Sequence, residues 1–398
     1  MYIDGLSHSV ENIVSVGNSE TITIEYNWNS GQIYKLKVVD KSGLMAESTY
    51  KAPFPNWFVG WAKRLKVTID CNDIDSELTD FPVLVHLSAS SGINADDVSF
   101  IFDEVGSNSK KIAVTTSDGT ECYVEVEEWD SVNEQAWLWV KVPSISHTTD
   151  TDLYIYYDTD QEDNIAYVGD PNSTPAENVW DNNFKLVTHM KDDPDTSSIC
   201  DSTSNNNDGT KLSANNPIQT DGISAKAQDF SADNINYGTD STLNIVDTLT
   251  IEAWINQDSL SSIHTLVGRG YSYWFFMYYN QPAFLSYRDG DVFSGILFAT
   301  ATIPTGTYTH VALVYDTSDP DEVKFYVNGE LNNQGSIDGP INNVTPDLEL
   351  GNWLNNYGFD GIIDEAKISN TSRSGAWIRA SYENERDAIL SFGFEETT

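Results

Sequence analysis

The chain has 398 residues, with 61 Asp and Glu against 21 Lys and Arg and a net charge of −40. That balance excludes the basic footprint a nucleic-acid binder needs and opposes docking on an anionic membrane surface. Hydrophobic residues make up 39% and aromatic residues 12%, enough for more than one buried core, yet no apolar run approaches the length of a membrane span. The acidity is dispersed, as on a well-solvated surface. Cys71, Cys122 and Cys200 are odd in number and widely spaced, which is neither a disulfide framework nor a zinc motif.

In chain order, the start MYIDGLSHSV lacks the basic region and apolar core of a signal peptide. Export would then rest on a signal lying upstream of residue 1. SETITIEYNW and IYKLKVVD read as strands, but residues 1–52 are short for an independent domain. KAPFPNW, residues 51–57, carries two prolines that block ladder hydrogen bonds and reads as a linker. KRLKVTID, PVLVHLS, CYVEVEEW, AWLWVKV and LYIYYD follow as β runs. VGDPNSTPAEN, residues 168–178, is a second break, which gives pieces 1–52, 53–170 and 171–398. The last piece continues with LTIEAWI, HVALVYD and VKFYVNGE, whose Asn328-Gly329 is a tight-hairpin signal. One helical stretch is expected, at about residues 372–385. The fold class is all-β, built of sandwiches or barrels.

The run FDGIIDEAKIS, residues 359–369, sets two carboxylates side by side. Strand alternation places Ile362, Asp364, Ala366 and Ile368 on one face, expected buried, and Glu365 with Lys367 on the other, expected wet. A buried Asp364 needs a partner. Adjacent carboxylates on opposite faces do not make the 5–5.5 Å pair of a retaining glycosidase. Glu125 and Glu127 share a face, but a solvated strand accounts for them. His189 and His310 lie in apolar runs and read as packed core residues. No G-x-S-x-G, H-E-x-x-H or phosphate-cradling glycine loop is present, so an enzyme is not expected.

The loop CDSTSNNNDGT, residues 200–210, is dense in short oxygen-bearing side chains, which suit calcium and an ordinary turn equally. GYSYWFFMYYN, residues 270–280, is apolar on both faces and reads as a central strand. GNWLNNYGF, residues 351–359, sets Trp353 and Tyr357 around Asn355 and Asn356, a platform for a sugar ring or a Trp folded over an edge.

KAQDFSADNINYGTDSTLNIVDTLTIEAWI, THVALVYD, VKFYVNGE and the closing FDGIIDEAKISNTSRSGAWIRASYEN resemble the laminin-G-like, concanavalin A-like jelly-roll family. WAKRLKVTIDCNDIDSELTDFPVLVHLS and AWLWVKVPSISHTTDTDLYIYYD resemble a domain of unknown function, DUF 2341, found before such jelly rolls in surface proteins. Residues 1–52 are similar to the end of an archaeal pilin-like β-domain, whose anchor helix would lie upstream. The first resemblance implies a structural Ca2+ held by Asp201, Asn205, Asn207 and Asp364. Together they imply an extracellular, non-catalytic recognition or adhesion protein with a glycan or other cell-surface ligand. Two alternatives stand beside it: a structural subunit assembled into a surface appendage or envelope, and a glycan-active hydrolase. The sequons at Asn343 and Asn370 fit export.

Overall fold

The computed structural model describes residues 57–398 apart from 212, 214, 215, 261, 262 and 354–356. It also gives the backbone of the strands Tyr2–Ile3, Leu6–Ser7, Ile33–Val39 and Met45–Lys51, which pair antiparallel into a sheet of their own. SETITIEYNW lies outside the described residues.

The chain is all-β. A first sandwich has one sheet ordered Val168–Gly169, Val124–Asp130, Gln135–Ile145 and Leu78–Leu87. Its other sheet centres on Lys63–Ile69, Thr151–Tyr157 and Ile112–Thr116. Alternation explains the packing. Val83 and Val85, Val124 and Val126, and Leu138, Val140 and Val142 are buried in one core, while the residues between them face out of the sheet.

A jelly roll follows, with two eight-stranded sheets. One contains Lys226–Ser231, Asp360–Ser369, Thr248–Gln257 and Thr309–Asp316 side by side. The other contains Ile263–Arg269, Tyr273–Tyr278, Gln281–Arg288 and Val292–Phe298. Tyr273, Phe275 and Met277 fill the core between the sheets, as the doubly apolar run predicts. Asn328 and Gly329, at φ of 50° and 77°, make the expected hairpin turn. The expected helix forms at Gly375–Glu385, capped by Ser374, whose side chain accepts from the Trp377 N–H.

The two sandwiches are welded. The helix Gly375–Glu385 buries Trp377, Ile378 and Ala380 in the same apolar cluster as Phe81, Val83 and Leu84. Trp377 meets Phe81 edge to face at 4.7 Å. Asn384 exchanges two hydrogen bonds with the Leu84 backbone, at 2.6 and 2.8 Å. The final strand, Leu390–Thr397, leaves the jelly roll and pairs antiparallel with Lys63–Ile69 as the edge of the first sandwich. Sheet membership therefore does not follow chain order at residue 390. No helix among the described residues is long and apolar enough to cross a membrane.

Candidate functional site

Two strands face each other where the sandwiches meet, and each carries a bulge. In Asp360–Ser369, Asp364 pairs with Trp254 and Lys367 with Glu252, so three steps on one strand match two on the other. Thr188 pairs with Ala366, which leaves Glu365 as the extra residue, with φ of +46°. The bulge inverts the alternation. Ile363, Ala366 and Ile368 point into the jelly-roll core. Asp364, Glu365 and Lys367 face the first sandwich and are buried there. The expected faces are therefore corrected: Glu365 is 1% exposed, not wet.

The strand Val124–Asp130 does the same. Trp137 pairs with Glu128 and Leu138 with Val126, so Glu127 is the extra residue. Glu125 and Glu127 are 0% and 2% exposed. The solvated face expected for them is also corrected, because the jelly roll covers it.

These carboxylates enclose His189. Its Nδ1 lies 2.8 Å from Glu365 Oε1 and 3.7 Å from Glu127 Oε2, and its Nε2 lies 3.6 Å from Glu125 Oε2. The ring is held between Trp139 and Trp180, at 5.4 and 5.6 Å. Trp139 Nε1 donates to Glu127 at 2.8 Å, and Trp180 Nε1 and Ser202 Oγ donate to Glu125. Lys367 bridges Glu365 and Glu385, both at 2.8 Å. Burial pushes Glu127 up to about 8 and Asp364 well above the carboxylate range, with neighbouring carboxylates adding to both. Burial acts the same way on Glu365, but His189 and Lys367 overcome it and hold its carboxyl at about 2. Burial disfavours a charged His189, yet Glu365, Glu127 and Glu125 raise it well above its ordinary value.

Asp364 finds its partner in the backbone. Its Oδ2 accepts from the N–H groups of Ile223 and Ser224, at 2.8 and 3.3 Å. A Cβ at Gly222 would overlap that carboxylate, so the turn requires glycine there. Ser224 Oγ in turn reaches Glu127 at 3.3 Å. The turn at 222–225 is thus pinned to both bulged strands.

Above the turn opens a cleft of about 400 Å³ between the sandwiches. Asp130, Asn133, Gln135 and Trp137 line it from the first, and Asp221 and Lys226 from the jelly roll. His86 stacks on Trp137 at 4.8 Å with a 16° interplanar angle. Sequence reasoning missed this site. The available signal was a polar hairpin, DSVNEQAW, ending in a tryptophan that alternates outward.

Asp201, Asn205 and Asn207 come together in their loop, but as a self-contained turn. Asp201 accepts from the N–H groups of Val187, Thr203 and Asn207 and from the Thr203 hydroxyl, two bonds to each oxygen. Asn205 and Asn207 donate to the carbonyls of Phe184 and Lys185. No hydrogen bond or ion pair among the described residues joins Asp201 to Asp364. Arranged this way, both aspartates accept hydrogen bonds from the chain itself. Trp353 is 7% exposed, packed at 4.5 Å on Trp274 with the half-buried Tyr357 beside them, the folded-over arrangement of the two the sequence allows. Asn355 and Asn356 lie outside the described residues. His310 is fully buried, as its apolar run predicts.

Residues 108–178 match the family model of a domain of unknown function, DUF2341. Neither this match nor the one below bears on the pilin-like reading of residues 1–52. No curated protein compared with the chain matches it. Among solved structures, domain 4 of AbnA, a GH43 extracellular arabinanase from Geobacillus stearothermophilus in complex with arabinotriose, is 22% identical. That match covers 50% of this chain and 98% of the other, with a TM-score of 0.40. The binding domain of Paraclostridial Mosquitocidal Protein 1 is 14% identical, covering 50% of this chain and 52% of that one, with a TM-score of 0.41. The botulinum neurotoxin serotype G binding domain is 14% identical over 50% of each chain, with a TM-score of 0.40. The chain thus spans about half the length of these toxin binding domains. Residues 229–379 match the family model of the concanavalin A-like lectin/glucanases superfamily, and the chain carries a concanavalin A-like domain there.

Proposed function

We propose that this chain is a non-catalytic recognition protein acting outside the cell, and that it binds a carbohydrate in the cleft between its two sandwiches. The observation that carries the proposal is the cleft's composition. Trp137 supplies a ring for stacking, and Asn133, Gln135, Asp130 and Asp221 supply amide and carboxylate groups around it. A cleft of about 400 Å³ has the size of a small-ligand site and sits at a domain junction, where such sites concentrate.

The placement of the carboxylates supports a non-catalytic reading. Glu125, Glu127 and Glu365 lie beneath the cleft, sealed by Trp139 and Trp180, and the cavity beside Glu127 and His189 is only about 10 Å³. That holds about one water and no sugar ring. A glycan array followed by titration of the wild type and Trp137→Ala tests the proposal. Silence across the array from a folded protein favours a structural subunit of a surface assembly.

Trp353 and Tyr357, with Asn355 and Asn356 between them, are the second place for such a ligand. Exposed Tyr278 and half-buried Phe298, which meet at 5.4 Å on the same sheet, extend that aromatic surface. A structural Ca2+ at Asp201, Asn205, Asn207 and Asp364 is a separate proposal. It requires those carboxylates to exchange N–H donors for the ion, and melting with and without a chelator tests it.

A further inference from the structure

We propose that Glu127, His189 and Glu365 bind a divalent first-row transition metal, with zinc the ion to test, which ties the two sandwiches together. One ligand atom from each residue lies within 4.8 Å of the others, and all three residues are buried. The set spans the junction, since Glu127 belongs to the first sandwich and His189 and Glu365 to the jelly roll.

Three further observations point to a cation. Carboxylates outnumber cationic groups in this interior: Glu125, Glu127, Asp364, Glu365 and Glu385 surround the buried His189 and Lys367, with Lys191 at the margin, 3.2 Å from the Glu127 carbonyl. Such an excess away from water needs compensation. His189 Nε2 is buried with no hydrogen-bond partner, because Glu125 at 3.6 Å stands beyond bonding distance. A cavity of about 10 Å³ lies beside two of the three ligands, lined by Glu127, His189, Lys191, Cys200 and Ser202, and has room for about one water.

The outer groups suit the arrangement. Trp139 and Ser224 fix Glu127, and Lys367 fixes Glu365. A nitrogen ligand selects against calcium and magnesium, which take oxygen donors.

The test is metal content and thermal melting of the full chain, unfolded with chelator and refolded with zinc or without metal. The expected result is about one zinc per chain and a melting temperature raised by several degrees. His189→Gln and Glu127→Gln should each weaken binding at least tenfold, whereas Cys71→Ser should not. Cys71 is the control because Asp70, Cys71 and Asp150 form the other close group of ligand-type side chains among the described residues. Should the glutamine variants fail to fold, cobalt absorption of Cys71→Ser decides, since any signal kept there cannot come from the Asp70, Cys71 and Asp150 group. A folded wild type that takes up no zinc overturns the proposal. So does zinc or cobalt absorption lost in Cys71→Ser.

Discussion

Asp364 and Glu365, consecutive in one strand, face the same way, because Glu365 is a bulge residue with φ of +46°. Asp364 uses the position to hold the N–H groups of Ile223 and Ser224, and Glu365 uses it to hold His189 and Lys367. One backbone irregularity thus supplies both the cleft wall and the buried network beneath it.

Removing the Asp364 carboxylate should strand those N–H groups. Asp364→Ala is expected to cost about 1–3 kcal/mol, the usual penalty for unsatisfied buried donors. Asp364→Asn keeps an acceptor oxygen and brings no charge that burial would penalise, so it should cost less than about 1 kcal/mol. Denaturant melts of the two variants check this. Equal losses would show that shape, and not acceptance of the N–H groups, sets the position.

Glu252 gives the stability a pH dependence. Burial, then Glu385, raise its carboxyl from 4.5 to about 7, against the pull of Lys367 and Arg373, and Ser381 lies beside it. His310, 3.7 Å away, is driven down to about 3 by burial and stays neutral. The folded pKa exceeds the unfolded one, so the folded state binds the extra proton between those values. This contribution is full below pH 4.5 and is lost as pH rises through about 7. It amounts to at most about 3 kcal/mol. Glu252→Gln should flatten the profile across that window in melts at stepped pH, and an unchanged slope would refute the assignment.

The final strand should be indispensable to the first sandwich. Ile389 and Leu390 are fully buried, and Arg64 pairs with Glu396 at 2.6 Å. Truncation before Ile389 should remove several kcal/mol of packing and expose the Lys63–Ile69 edge to aggregation. Soluble yield and amide exchange in the first sandwich report the outcome.

Much of the fold was legible in the sequence. Period-two runs named the strands, Asn328-Gly329 named a hairpin, and the apolar run at 270–280 named a central strand. The site was less legible, for a definite reason. Alternation assigns faces only while register holds, and Glu127 and Glu365 sit where it breaks. Nor does a single strand reveal that its outer face is covered by another domain, so Glu125, Glu127 and Lys367 looked solvated. Trp137 was hidden by the same lack of long-range pairing, since only the approach of the 222–225 turn makes it part of a cleft.

The aromatic groups separate the two candidate surfaces. Trp353→Ala opens a cavity beside Trp274 and should cost about 3–5 kcal/mol. Trp137 lies at the cleft and should cost less on truncation. If the cleft is the site, Trp353→Ala lowers the melting temperature and leaves ligand affinity unchanged. The reverse pattern would move the ligand to the outer face of the second sheet.

The central claim is carbohydrate binding in the cleft, and calorimetric titration of the best glycan-array ligand into wild type and Trp137→Ala tests it most directly. The account predicts saturable binding that weakens at least tenfold in Trp137→Ala, as loss of a stacking ring should produce. Equal affinity in wild type and a folded Trp137→Ala would contradict it.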